Sequence, residues 1–387
     1  MKKAVIIPIY LRFNTSEELR RSEGLRFGKR AIESLKLLED QEFTLILPVC
    51  LDRIVENREG SFAEADQFLR EELKKVGLPK SLLFSSQQLN PMKDYFRRNK
   101  FLEFCTLIDL KGFPKIRNTG LLLAQALSMD VVIFIDSDEV VEDPHYVKVA
   151  CEYLDQVWNG KVVSGKGGFY VNSDGTILLP PQRLWWRFLW NKTRWMNEIW
   201  KAILSSNVRL VSSPMILGGN LVLHRRLFTS VPFDPYISRG EDTDYLINAA
   251  RFDFVILFDK ELRIKHLHPK RDEVFFQEEL RGDIERFLYE REKTKAGVGI
   301  SLEPYPGYFL KWTLYPRSIL TSLFLSLDYG VRGEWKKAME SMATIASVFR
   351  KKRGGWLDYL RFQRDWKRAM EEIDKEGMEE VLKNCWV

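Results

Sequence analysis

Five consecutive apolar residues, Val131-Val132-Ile133-Phe134-Ile135, run directly into Asp136-Ser137-Asp138. A run this short and this rich in β-branched side chains reads as a strand covered on both faces. Such strands belong to parallel sheets flanked by helices. Two similar runs, Ala4–Ile9 and Phe43–Val49, are separated from it by segments of helical period such as Gly28–Leu38 and Phe62–Val76. The alternation predicts an α/β fold on a mostly parallel sheet. Ligands of such sheets sit beyond the carboxyl ends of the strands, so Tyr10, Cys50–Arg53 and Asp136–Asp138 are expected along one crevice.

In extended backbone, residues two apart point to the same side. Asp136 and Asp138 are therefore expected to present two carboxylates to one point, with Ser137 turned away. Mg2+ or Mn2+ takes oxygen ligands, often only one or two carboxylates, and completes its shell with phosphate oxygens and water. A diphosphate fits that description. Acids that end a strand are also ordinary solvated turn formers, so the tripeptide takes its meaning from its surroundings.

The rest of the chain narrows the class. Its 387 residues, 45% of them hydrophobic, suffice for two or three structural units. Four scattered cysteines without a C-x-x-C pair indicate neither a zinc knuckle nor a disulfide framework, which suits a reducing, cytoplasmic setting. Met1–Tyr10 reads as a first strand and not a signal peptide, because Pro8 interrupts its apolar run. The apolar stretch Ile319–Leu327 is about half of the roughly 20 residues a membrane-spanning helix needs. A net charge of +6 from 60 basic and 54 acidic residues gives a weak field that suits anionic substrates and requires no nucleic acid. From Pro269 onward the pattern is charged and helical, with Glu273–Lys293, Gly307–Leu327, Gly333–Lys351 and Trp356–Leu382 as expected helices.

Phe113-Pro114-Lys115-Ile116-Arg117-Asn118-Thr119-Gly120, a helix to Met129, and the strand ending in Asp136-Ser137-Asp138 together resemble the central block of family 2 GT-A glycosyltransferases. Val5-Ile6-Ile7-Pro8-Ile9-Tyr10 resembles the first strand of the same family. The second strand departs from it: Pro48-Val49-Cys50-Leu51-Asp52 lacks the usual acidic pair. The resemblance implies a GT-A fold, Rossmann-like, with residues 1–140 as the nucleotide-sugar half, 141–270 as the acceptor half and 271–387 as a helical C-terminal extension. It further implies Pro8, Tyr10, Asp52, Arg117, Asp136 and Ser137 on a GDP- or UDP-sugar donor, and Mg2+ or Mn2+ held by Asp136, Asp138 and His268. His266 shares a strand face with His268 by alternation, although a histidine pair at a strand end is commonly hydrogen-bonded structure.

Arg239-Gly240-Glu241-Asp242-Thr243-Asp244 opens a helical pattern, and acids in a first turn suit the helix dipole whatever else they do. The segment follows Gly218-Gly219-Asn220, where missing side chains allow close approach of a substrate. The two resemble the family's acceptor site. By that resemblance Asp242 is the general base with Glu241 as neighbour or substitute, and Gly218, Gly219, Asn220 and Arg239 contact a hydroxyl acceptor; Trp190 is expected there for its ring face, with aromatic core as the alternative. Arg117, Arg239 and Lys265 are expected near the charge that grows on the diphosphate.

The Trp-rich segment Leu184–Trp200, interleaved with Arg183, Arg187, Lys192 and Arg194, reads equally as an acceptor lid or as aromatic core. Lys351–Arg353 with Trp356, Tyr359, Leu360, Trp366 and Met370 suits either packing on the rest of the chain or peripheral contact with the inner face of a membrane. The expected reaction is sugar transfer to a hydroxyl, with inversion, onto a small phosphorylated polyol, a lipid or a polysaccharide. A retaining GT-A synthase, a sugar-phosphate nucleotidyltransferase and a non-catalytic nucleotide or glycan module stay open. Tyr10–Ser16 lacks the glycines that a nucleotidyltransferase phosphate loop uses.

Overall fold

Alternation of apolar side chains sends Ala4 and Ile6 to one face of the first strand and Val5 and Ile7 to the other, all of them buried. The third run does the same, with Val132 and Phe134 opposite Val131, Ile133 and Ile135. A sheet with two apolar faces must be covered twice. The computed structural model describes residues 1–53, 60–78, 80–180, 188–267, 276–295, 297, 299–349, 355–373 and 375–387. Its strands are β1 (Lys3–Ile6), β2 (Ile9–Phe13), β3 (Phe43–Arg53), β4 (Ser81–Phe84), β5 (Val131–Phe134), β6 (Glu139–Val140), β7 (Val157–Trp158), β8 (Lys161–Val171), β9 (Leu210–Val211), β10 (Leu221–His224) and β11 (Val255–His266).

The sheet runs β2-β3-β1-β5-β10-β8-β11-β6, with β4 on the other flank of β3. The first half is parallel, as the sequence predicts: β3 pairs with β1, β2 and β4, and β5 with β1. Beyond β5 the directions mix. β10 is antiparallel to β5 and β8, and β8 is parallel to β11. β1 and β2 follow β3 in a single register, Ile6 opposite Ile46 and Ile9 opposite Val49, broken at Pro8, which has no N–H to donate. β5 stops beside Ile6, so β2 carries the sheet onward with one flank open. That opening lies at the carboxyl ends of β1 and β5.

Helix Phe113–Ala126 and helix Ser86–Arg98 cover one face, and helices Glu23–Ser34 and Gly60–Val76 the other. The helical extension divides in two. Helix Phe276–Thr294, helix Leu314–Val331 and helix Trp335–Phe349 share a third apolar cluster with helix Lys192–Ser205. Helix Trp356–Glu372 instead returns to the first face: Trp366 donates from Nε1 to Phe228 O at 2.9 Å, and the Gln125 amide donates to Met370 O at 2.8 Å. Tyr359, Trp366 and Met370 are buried there, the packing weighed for this helix, while Lys351–Arg353 lie outside the described residues. The chain then closes on β4, where Leu83 N–H meets Cys385 O at 2.8 Å and Val387 N–H meets Ser81 O at 3.0 Å. Among the described residues no helix is long and apolar enough to cross a membrane.

Candidate active site

Asp136, Ser137 and Asp138 are not extended. Glu139 N–H donates to Asp136 O at 3.0 Å, closing a turn in which Ser137 and Asp138 are the central residues. A turn, and not the alternation of an extended strand, therefore sets these side chains. A tight turn brings Asp136, Asp138 and Glu139 together, with one oxygen from each within 4.8 Å of the others. Glu139, which nothing in its neighbourhood marked out, is fully buried. Its Oε2 accepts from Asp136 N–H at 2.9 Å, and its Oε1 has no hydrogen-bond partner. Burial, then Asp136 and Asp138, push its carboxyl well above the ordinary range. Gly219 is required beside it: a Cβ there would lie 2.3 Å from Glu139 Oε1.

Arg117 is the pivot. Pro114 in the first turn presets the backbone of helix Phe113–Ala126, and the guanidinium, 3% exposed, reaches three partners. Nη2 donates to Asp136 Oδ1 at 2.7 Å, Nε to Glu241 Oε1 at 3.2 Å and Nη1 to Gly218 O at 2.9 Å. Phe134 and Phe233 lie against it, with ring centroids 5.1 and 5.9 Å from its central carbon. Burial raises the carboxyls of both Asp136 and Glu241 against the opposing pull of Arg117. Arg117 bonds two of the five carboxylates gathered here, Asp136, Asp138, Glu139, Glu241 and Asp242.

Helix Glu241–Arg251 begins after Gly240, whose φ of +71° suits glycine, and where a Cβ would collide with the Arg286 guanidinium. The first turn separates two roles. Glu241 is buried against Arg117 and positions it. Asp242 is partly exposed, with Oδ2 accepting from Gly218 N–H at 3.2 Å and Oδ1 from Thr243 N–H at 2.6 Å. Arg286, buried behind this turn, donates to Glu290 at 2.6 Å and leaves Nη2 without a partner. It went unnoticed in the sequence because its helix reads as a uniformly charged one.

Tyr170, at the end of the glycine-rich β8, accepts from Gly219 N–H at 2.8 Å and lies 3.5 Å from Asp136 Oδ2. Its ring stacks on His266 at 5.2 Å, and His266 Nε2 stands 3.3 Å from Asp138 Oδ2. His266 therefore adjoins the carboxylates. His268 lies outside the described residues, as do Arg183, Arg187 and the side chain of Asp52. Tyr10 stands on the open flank of the sheet beside Phe113, its hydroxyl buried without a partner, and burial pushes its phenol up. Pro8 is buried at the strand break.

Three expected acceptor residues are placed otherwise. Asn220 is fully buried, its amide donating to Phe169 O and Leu262 O and accepting from Tyr146, so all its capacity goes into clamping β8 to β11. Trp190 is 2% exposed among Phe287 and Phe309, which makes it core. Arg239 pairs with Glu279 at 3.0 Å and approaches Asp283 on helix Phe276–Thr294. Lys265 likewise turns to Glu142 at 2.6 Å.

The donor set is oxygen only, convergent, strongly anionic and partly unsatisfied. It fits a hard divalent cation such as Mg2+ or Mn2+, which accepts two or three carboxylates and keeps positions for other oxygen ligands.

No family model and no curated sequence matches the chain. Among solved structures it is similar to the mannosyltransferase PcManGT from Pyrobaculum calidifontis in complex with GDP-Man and Mn2+, at 12% identity and TM-score 0.47, over 96% of this chain and 86% of that one. It is also similar to glucosyl-3-phosphoglycerate synthase from Mycobacterium tuberculosis in complex with Mn2+ and UDP-glucose, at 15% identity and TM-score 0.39, over 78% and 80%. GalNAc-T7 with UDP, GalNAc and Mn2+ is similar at 13% identity and TM-score 0.37, over 81% and 56%. With every one of these TM-scores below 0.5, the functional reading rests on the geometry of the site.

Proposed function

We propose that this chain is a GT-A type glycosyltransferase that uses Mg2+ or Mn2+ to move a sugar from a GDP- or UDP-sugar onto a hydroxyl acceptor. One observation carries the reading: Asp136, Asp138 and Glu139 converge within 4.8 Å at the carboxyl end of the sheet. The motif order found in the sequence supports it. When bound, the cation supplies positive charge against the negative charge that grows on the departing diphosphate.

Asp136, Asp138 and Glu139 hold that cation. Arg117 aims Asp136 through Nη2 and is itself fixed by Glu241 and the Gly218 carbonyl. Tyr10, with an unsatisfied hydroxyl on the open flank, meets the nucleoside. Asp242, oriented by the N–H groups of Gly218 and Thr243, takes the proton of the acceptor hydroxyl. The acceptor oxygen then attacks the anomeric carbon as the bond to the diphosphate breaks on the opposite face, which inverts the configuration. The backbone of Gly218 and Gly219 borders the approach of the acceptor, a small phosphorylated polyol, a lipid or a polysaccharide.

The test is release of nucleoside diphosphate with Mn2+ across GDP- and UDP-sugars. Asp136→Ala and Asp138→Ala are each expected to lower release by about 10²–10³-fold while the thermal midpoint is kept. Undiminished release in either variant, or pyrophosphate as the product, would overturn the proposal.

A further inference from the structure

Two consecutive helices, Leu314–Val331 and Trp335–Phe349, form a hairpin with two apolar faces, one buried and one exposed, and hydroxyls between the helices. Ser318, Thr321, Ser322, Ser341 and Thr344 are buried. Three of these hydroxyls donate one turn back along their own helices, Ser318 to Leu314 O at 2.7 Å, Ser341 to Lys337 O at 2.8 Å and Thr344 to Glu340 O at 3.1 Å. Ser326 crosses to Ala338 O on the second helix at 2.9 Å. Leu314, Leu325, Tyr329 and Val348 join the third apolar cluster, but a second set of large apolar side chains points the other way. Leu320, Leu327 and Val331 share one stripe of the first helix, and Trp335, Met339, Met342 and Phe349 one stripe of the second, all of them exposed. Val331 is 90% exposed and Trp335 70%.

A helix in water buries its apolar stripe and shows its hydroxyls. Helices against lipid do the reverse, packing on each other through small and hydroxyl residues. Charge points the same way. Residues 311–353, the hairpin with its flanks in sequence, contain nine lysines and arginines against three acids, four of the cations, Arg350–Arg353, lying outside the described residues. That net of +6 equals the net charge of the whole chain, so the other 344 residues are balanced at 51 of each sign. A second copy of this chain would bring like charge to like. An anionic headgroup layer brings the opposite charge, and it seats tryptophans at the boundary of water and acyl chain.

We infer that the hairpin lies flat on an anionic lipid bilayer, with Trp335, Met339, Leu327 and Val331 inserted among the headgroups. Neither helix is long and apolar enough to cross, so the protein rests on one leaflet. This surface is separate from the carboxylate site and does not depend on the reaction proposed for it.

The experiment is co-sedimentation of the full chain with vesicles of phosphatidylcholine alone or of phosphatidylcholine containing phosphatidylglycerol. Binding to the anionic vesicles is expected to exceed binding to the neutral ones by at least about tenfold and to fall at high salt. Trp335→Glu with Met339→Glu, and separately Leu327→Glu with Val331→Glu, are expected to reduce pelleting to background with circular dichroism and thermal midpoint unchanged. Equal pelleting with both vesicle types, pelleting with neither, or wild-type binding by both double variants overturns the inference. So does a vesicle-free dimer that the double variants convert to monomer, because a second copy would then cover the face.

Discussion

Helix Glu241–Arg251 borders two buried charge clusters that teach opposite lessons. On one side Asp244 meets Lys293, whose ammonium donates to both oxygens of Asp244 at 2.6 and 2.8 Å and lies 2.6 Å from Asp234 Oδ2. Tyr289 and the Tyr236 N–H complete Asp234, Asn248 completes Asp244, and the rings of Tyr289 and Tyr359 lie 4.7 Å from the ammonium. Every oxygen of Asp234 and Asp244 has a donor. On the other side, within one helical turn, Glu241 and Asp242 join a group in which Arg117 bonds two of five carboxylates and Glu139 Oε1 has no donor. Both clusters bear the desolvation cost of buried charge. The closed one is scaffold, and the open one fits the cation proposed for it.

The sharpest way to break the contrast is Lys293→Met. Removing the one cation leaves Asp234 and Asp244 buried without it, and a loss of about 3–5 kcal/mol in folding stability is expected from denaturant unfolding. A loss under 1 kcal/mol would mean the closed cluster is no scaffold. Next comes Glu139→Gln, which removes a buried charge one of whose oxygens has no hydrogen-bond partner. Folding stability is expected to hold or rise, while Mn2+ affinity measured by titration calorimetry falls about 10–100-fold. The opposite pattern, a destabilised protein with full metal affinity, would make Glu139 structural.

The smallest effect is one of pH, at a second closed cluster. Burial works to raise the Asp259 carboxyl, but Arg209, donating to both its oxygens, and Lys166 at 2.8 Å outweigh it and hold it below its ordinary value. A depressed folded-state value contributes stability that is whole above the unfolded carboxylate value of about 4 and is lost as pH falls through the lower folded one. Asp259→Asn is expected to flatten the loss of stability below about pH 4. An unchanged acid limb in thermal unfolding would remove Asp259 from that balance.

How much of this was legible depended on distance along the chain. The strands around Val131–Ile135, the acidic helix start at Glu241 and the C-terminal helices are local patterns legible from period and capping, and the helix carrying Arg117 is legible from its resemblance to a family motif. The carboxylate pair was found for a reason only partly right, since a turn and not an extended strand brings it together, and the turn is what recruits Glu139. Asn220 is expected at the acceptor from the resemblance of its glycine segment, and Trp190 because ring faces suit sugars. Their burial is decided by β8, β11 and helix Phe276–Thr294, whose pairing no local pattern states. Arg239 found Glu279, 40 residues away, by the same kind of contact. The return of Trp356–Glu372 across the first face had been weighed, but amphipathicity does not say which surface receives it.

The strip that pairs with β4 has a consequence for biogenesis. Trp386 lies opposite Leu82, and Arg70 bonds the Trp386 carbonyl across 316 residues of chain. At ordinary rates of translation that separation is on the order of tens of seconds. Through that interval the outer edge of β4 presents bare N–H and C=O groups, the template on which strands from neighbouring polypeptides assemble. A chain lacking residues 381–387 is thus expected to recruit chaperones or aggregate at that edge, because nothing then covers it.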